Sequence, residues 1–199
     1  MYKRQEPITA SDYVWSWERA LHPETGSLYA YMLFPVVNAE KFASGKIDDF
    51  SQVGIESVDS NTLRITLNAP TPYFLQLMDH YSTFAVHPET LLKFGGMSDR
   101  FTPWTRVGNI VSNGAFTLKE WSLNRQIKVE KNPHYWDKSS VTLEGVYFYP
   151  TENVVSEERC FVPSSCMSLR VYRLAKYLAI ARSRTPPMCR RRILARTTI

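Results

Sequence analysis

Four histidines, His22, His80, His87 and His134, have the widest chemical reach of any side chains in this chain. Imidazole can ligate a metal, move a proton or orient a nucleophile. None of the four stands at metal-ligand spacing from a cysteine or an acid, and metal ligands come in tight clusters. No G-x-S-x-G, P-loop or G-x-G-x-x-G pattern is present. No nucleophile, base and orienting group can be named together. The expectation is therefore a protein that is not an enzyme, with no metal and no cofactor. The aromatic residues say more. Phe, Tyr and Trp make up 13% of the chain, enough to fill a core and leave rings over for a groove.

The elements that must position these rings follow from periodicity. "ITASDYVWSWERAL" reads as a helix with Thr9 as N-cap and Asp12 three residues on, a capping-box pattern. Val14, Trp17 and Leu21 form its apolar stripe. "LYAYMLFPVVNAEKFASGK" reads as helical on both sides of Pro35, with Gly45 as its stop. "VGIESVDSNTLRITLNAP" reads as a hairpin. Ile55 and Val58 lie in its first strand, Leu63, Ile65 and Leu67 in its second, and Asp59, Ser60 and Asn61 in its turn. A helix opens near Pro72 in "TPYFLQLMDHY", and "STFAVHPETLLKFG" reads as a short strand followed by a helix from Pro88. Two further strands, with Phe116 and Leu118 in one and Ile127 and Val129 in the other, flank a turn at residues 122–124. "NPHYW" is a tight aromatic turn, and "VTLEGVYFYP" is a strand with Val146 and Phe148 on one face. The sum is mixed α and β with hairpins, lacking the strict alternation of a doubly wound sheet.

At 199 residues the chain can bury one or two cores. It has no run of about 18 apolar residues of the kind that spans a membrane. Its start, "MYKRQEPITA", has no apolar stretch of the signal-peptide kind. The formal net charge is +5, but residues 160–199 hold nine of the 24 basic residues and no acid. The first 159 residues therefore set 15 basic against all 19 acidic residues, a net −4. All three cysteines, Cys160, Cys166 and Cys189, also lie in that last fifth. "MCRRRILARTTI" taken alone would make this a nucleic-acid-binding protein that neutralises phosphates through its basic tail. A salt-dependent DNA complex lost on deleting residues 160–199 would support that alternative.

Four longer stretches, "PITASDYVWSWERALHPETGSLYA", "LRITLNAPTPYFLQLMDH", "NIVSNGAFTLKEW" and "IKVEKNPHYWD", carry a resemblance in their order and their residues. They are similar to the bacterial extracellular solute-binding proteins of family 5, above all the periplasmic oligopeptide-binding proteins of ABC importers. The resemblance covers about residues 6–159. It implies a partial periplasmic-binding-protein type II fold, mixed α+β. Residues 6–109 would be the extra domain of the family, and residues 110–159 the strands returning to the first lobe. It implies an oligopeptide ligand held between lobes, where hydrated pockets adapt to many side chains. The other implied partner is a permease in the inner membrane. Nucleic acid is not an expected partner, and the expected state is a monomer in the periplasm, with the signal peptide missing from this chain. Tyr29 in "GSLYAYM" and His80 in "LMDHYSTFAV" fall where the family's extra domain faces the ligand. The rival reading makes Tyr29 a core or surface aromatic and His80 a surface residue. Most residues that grip the peptide termini in the family fall outside this stretch. Heme, nickel and sugars are bound by other relatives.

The resemblance stops at "TENVVSEER", where family members continue with a pattern such as Met-Phe-Arg-Ala-Gly-Gln-Leu-His-Val. Taking the third base of each codon with the first two of the next, Arg159 with Cys160 can spell Met and Cys160 with Phe161 can spell Phe. Ser164 with Ser165, Ser165 with Cys166 and Cys166 with Met167 can spell Gln, Leu and His. Pro163 with Ser164 cannot yield the expected Gly. The expectation is a one-base shift near Arg159, leaving residues 160–199 as an out-of-frame basic tail that packs poorly against the body, with a helical pattern over 169–181. Residues 1–5, "MYKRQ", resemble a translated sequencing adapter and are expected to be an artificial leader. The nucleotides around codon 159 decide the matter, since an early stop in the second frame would sink it.

Overall fold

The computed structural model describes residues 7–150 and the backbone of residues 192 and 193. The leader at 1–5 and nearly all of the tail at 160–199 lie outside the described residues. The chain packs as two units, Met1–Thr105 and Arg106–Ile199; the sequence reading set its division between 109 and 110.

Unit one begins with α1 (Ala10–Leu21). Thr9 is extended, and its backbone N–H donates to the Asp12 carboxylate at 2.8 Å, closing the reciprocal half of the capping box. The stripe read from the sequence is the buried face: Trp17 and Leu21 are buried and Val14 packs beside them. Pro23 stops the helix and opens a 3-10 turn, Pro23–Thr25, which Gly26 closes in the left-handed region at φ 57°.

The next stretch departs from expectation. Ala30–Leu33 is a 3-10 turn rather than a helix, and α2 is only Ala39–Ala43. Between them Val37 donates to the Thr66 carbonyl at 2.9 Å and accepts from the Gly54 N–H at 3.0 Å, while Val36 bridges Leu67. Pro35 has no N–H with which to continue a helix, and two β-branched residues follow it, so the chain takes sheet-like bonds instead. Gly45 does end α2, with φ 69°.

β1 (Ile55–Ser57) and β2 (Leu63–Ile65) pair antiparallel, Ile55 opposite Ile65. The Asp59 carboxylate accepts the Asn61 N–H at 2.7 Å and fixes the turn. Val58 lies one residue past β1 and is exposed. Gly54 is required by close approach: a Cβ there would sit 2.7 Å from the Thr66 carbonyl oxygen. The core gathers Trp17, Leu21, Leu33, Val36, Phe42, Val53, Ile55 and Phe74.

α3 is Phe74–Leu77 and α4 is Pro88–Leu92. The short strand expected before Pro88 is absent. Tyr81–Thr83 is a 3-10 turn, and side chains of α1 take up the backbone groups that a ladder would have used. Trp17 Nε1 donates to the Thr83 carbonyl at 2.8 Å, and the Val86 N–H donates to Ser16 Oγ at 3.0 Å.

Unit two is a sheet of β3 (Phe116–Ser122), β4 (Gln126–Lys131), β5 (Gly145–Phe148) and β6 (Arg192–Ile193), in that order. The first three are antiparallel, and β6 runs parallel to β5, with Arg192 opposite Tyr147. Trp121, Ile127 and Phe148 form one cross-strand row, and Leu118, Val129 and Val146 the next. The register skips between Leu118 and Glu120, which lets Trp121 share a face with Leu118. The β3–β4 turn centres one residue later than expected, on Asn124 at φ 56°. Asn132 is buried just after β4. Its Nδ2 donates to the Gly114 carbonyl at 2.8 Å and its Oδ1 accepts the His134 N–H at 3.0 Å, tying the aromatic turn to the segment before β3.

Candidate functional site

Tyr29 stands at the head of the Ala30–Leu33 turn, its carbonyl accepting from the Met32 N–H at 3.1 Å. His80 stands at the head of the Tyr81–Thr83 turn. Its Nδ1 accepts the Ser82 N–H at 3.3 Å and lies 2.8 Å from Ser82 Oγ. An imidazole nitrogen that accepts an N–H carries no proton of its own, so this contact sets the tautomer. The Ser82 hydroxyl also lies 3.7 Å from Met32 Sδ, joining the two turns.

These turns bring the two residues together across 51 positions of sequence. The Tyr29 and His80 ring centroids are 4.7 Å apart with planes at 47°. Two rings that sequence reasoning passed over complete the group. Tyr81 lies 4.1 Å from His80 and 5.8 Å edge-on from Tyr29, and Tyr31 lies 6.3 Å from Tyr29. Both stand beside the paired residues in "YAY" and "HY", but the approach of the rings comes from the two turns meeting, which local pattern does not carry. Tyr29 is 37% exposed, Tyr31 55% and Tyr81 64%, while His80 is half-buried. The Tyr81 hydroxyl is held above the usual phenol range, first by its hydrogen bond to the Tyr29 side chain, then by partial burial and the neighbouring Tyr29 and Tyr31. The Tyr81 phenol therefore stays neutral in ordinary buffers. Such a group offers ring faces and hydroxyls for noncovalent recognition.

The remaining histidines have plainer tasks. His22 accepts the Glu24 N–H through Nδ1 and His87 accepts the Thr90 N–H through Nδ1, each capping a turn that opens with proline. His134 is exposed in the aromatic turn. Among the described residues, no group of three or more His, Cys, Asp or Glu could hold a metal ion, and no helix is long and apolar enough to cross a membrane. Hollows occur in each unit. An apolar groove of about 470 Å³ beside α1 is lined by Tyr13, Trp17, Leu63, Ile65, Met78 and Phe84, among others. A polar depression of about 760 Å³ over β4 and β5 is lined by residues including Lys128, Glu130, Lys131, Tyr147 and Tyr149.

The sequence pattern of the bacterial extracellular solute-binding proteins, family 5 Middle, matches residues 5–157. The chain belongs to this family. The periplasmic oligopeptide-binding protein OppA of Escherichia coli is 37% identical over 153 residues, which are 76% of this chain and 27% of that protein. The structure of Burkholderia pseudomallei OppA superposes with a TM-score of 0.74 at 32% identity, covering 80% of this chain and 30% of that one. Haemophilus influenzae OppA, solved in complex with the peptide RPPGFSPFR, superposes with a TM-score of 0.73 at 28% identity, covering 80% and 30%. The family 5 chain thus spans somewhat more than a quarter of the length of the relatives it matches. Its fold is a mixed α+β part of the periplasmic-binding-protein type II fold, as the resemblance implied.

Proposed function

We propose that this chain is part of the substrate-binding subunit of an ABC importer, one that captures oligopeptides in the periplasm and delivers them to a permease in the inner membrane. Membership of family 5 supports the solute-binding role, and relatives named for oligopeptides support the ligand class. The observation that carries the reading to particular residues is the meeting of Tyr29 and His80, two positions fifty-one residues apart, in one exposed aromatic group. On this reading both side chains touch the peptide. Flat rings with polar tips accept varied side chains without covalent chemistry, which suits capture and release by a monomer that is not an enzyme. Unit one corresponds to the family's extra domain and the strands of unit two to the return into the first lobe. Nucleic acid has no part in this role. The residues that suggested it, in 160–199, lie outside the described ones save for the backbone of 192 and 193.

The test is to map a bound peptide. Nuclear magnetic resonance of the full-length subunit should show the Tyr29 and His80 ring signals moving as a short peptide is added. Saturable binding that leaves both rings unmoved would remove them from the site.

A further inference from the structure

We propose that Asn113 is a modification site, an asparagine that converts to aspartate and isoaspartate by attack of its own main chain, and that Ser112 and Asn132 hold this reaction in check in the folded sheet. Asn113–Gly114 is the one Asn-Gly pair in the sequence. Glycine puts no side chain over its nitrogen and lets the chain bend back, so that nitrogen can reach the preceding carboxamide. In the reaction the Gly114 nitrogen loses its proton and bonds to Asn113 Cγ. The Cγ–Nδ2 bond breaks, and ammonia leaves with that proton. Water then opens the five-membered imide at either carbonyl. One opening gives aspartate. The other gives isoaspartate, whose main chain runs through the side chain and is one carbon longer. Nothing is oxidised or reduced, and water is the co-reactant.

The fold holds the attacking residue at both ends. The Gly114 N–H donates to Ser112 Oγ at 3.1 Å. The Gly114 carbonyl accepts from Asn132 Nδ2 at 2.8 Å, and the Ala115 carbonyl accepts from the Asn132 N–H at 2.9 Å. Asn132 is only 1% exposed, so it is a fixed anchor. For attack, the bond to Ser112 must open and the Asn113–Gly114 peptide must turn towards the carboxamide. That turn draws the Gly114 carbonyl away from Asn132, and a buried donor left without its acceptor opposes it. β3 begins two residues on, at Phe116. A longer main chain just before it shifts both carbonyls off Asn132. These groups all lie in unit two and bond to one another, so the restraint belongs to this sheet whatever the subunit carries.

The experiment ages the full-length subunit in mildly alkaline buffer and follows isoaspartate at residue 113 by peptide mapping. A synthetic peptide of residues 110–118 serves as the unrestrained reference. The folded subunit should convert more slowly than the peptide. Ser112→Ala, with circular dichroism unchanged, should convert about two- to ten-fold faster than the unaltered subunit, as loss of one hydrogen bond implies. Ser112→Thr keeps an acceptor and should stay near the original rate. In denaturant the subunit and Ser112→Ala should convert alike. A folded subunit that converts as fast as the peptide would overturn the proposal. So would a Ser112→Ala rate equal to the original, or an excess that persists in denaturant. None of these outcomes bears on peptide capture.

Discussion

His22, His80 and His87 share one habit: each turns Nδ1 onto a backbone N–H at the start of a helical turn. For His22 and His87 the cap accounts for the side chain. For His80 the proposed function adds a second task, peptide contact through its ring, and substitution can separate the two. His80→Asn keeps a capping acceptor and removes the imidazole, so thermal stability should hold while peptide affinity falls severalfold in calorimetry. His80→Ala loses both, and should also cost about 1 kcal/mol of stability in chemical denaturation. Trp17 is the residue on which unit one turns. Trp17→Phe would leave the buried Thr83 carbonyl without its donor, at a cost of about 1–3 kcal/mol by the same measurement. Tyr29 and His80 became candidates through family resemblance, since nothing in their spacing marked them. Tyr31 and Tyr81 stood beside them in the sequence, yet ring-to-ring approach depends on turn geometry that local pattern does not carry.

At the scale of elements, what could be read was what local chemistry decides. The Thr9–Asp12 cap, the Val14–Trp17–Leu21 stripe and the alternation of the β3–β4 hairpin are short-range signals. The segments at 28–37 and 82–86 were misread because distant partners decide them. Thr66 and Gly54 bond to Val37, and Ser16 and Trp17 bond to the stretch after His80. In the sheet, Asn132 should prove the most sensitive polar position. Asn132→Ala removes the bonds to Gly114 and His134 and should cost about 2 kcal/mol, seen as a lowered denaturant midpoint. The sheet should also be acid-sensitive. Glu120 is held below the usual glutamate range by hydrogen bonds from Gln126 and Ser122, and Glu130 by its hydrogen bond from Lys128. A depressed folded pKa stabilises the fold above the unfolded value, about 4.3, and that contribution is lost as pH falls through the folded value. Thermal melts should therefore drop on acidification below pH 5, and Glu120→Gln should flatten that limb. An acid limb identical in the variant would show that Glu120 takes no part.

For the whole molecule, charge told less than it promised. The positive charge belongs to residues 160–199, whose nine basic residues outweigh the net −4 of the rest, while the residues that match family 5 lie in that mildly acidic remainder. Length sets the scope of any test, because this chain spans somewhat more than a quarter of its relatives. Most of the groups expected to grip peptide termini fall outside that stretch, so peptide capture has to be measured on the full-length subunit. Calorimetric titration of that subunit with short peptides tests the central claim most directly. Saturable one-to-one binding, weakened severalfold by Tyr29→Ala, is the predicted result. Absence of saturable heat with every peptide would contradict it.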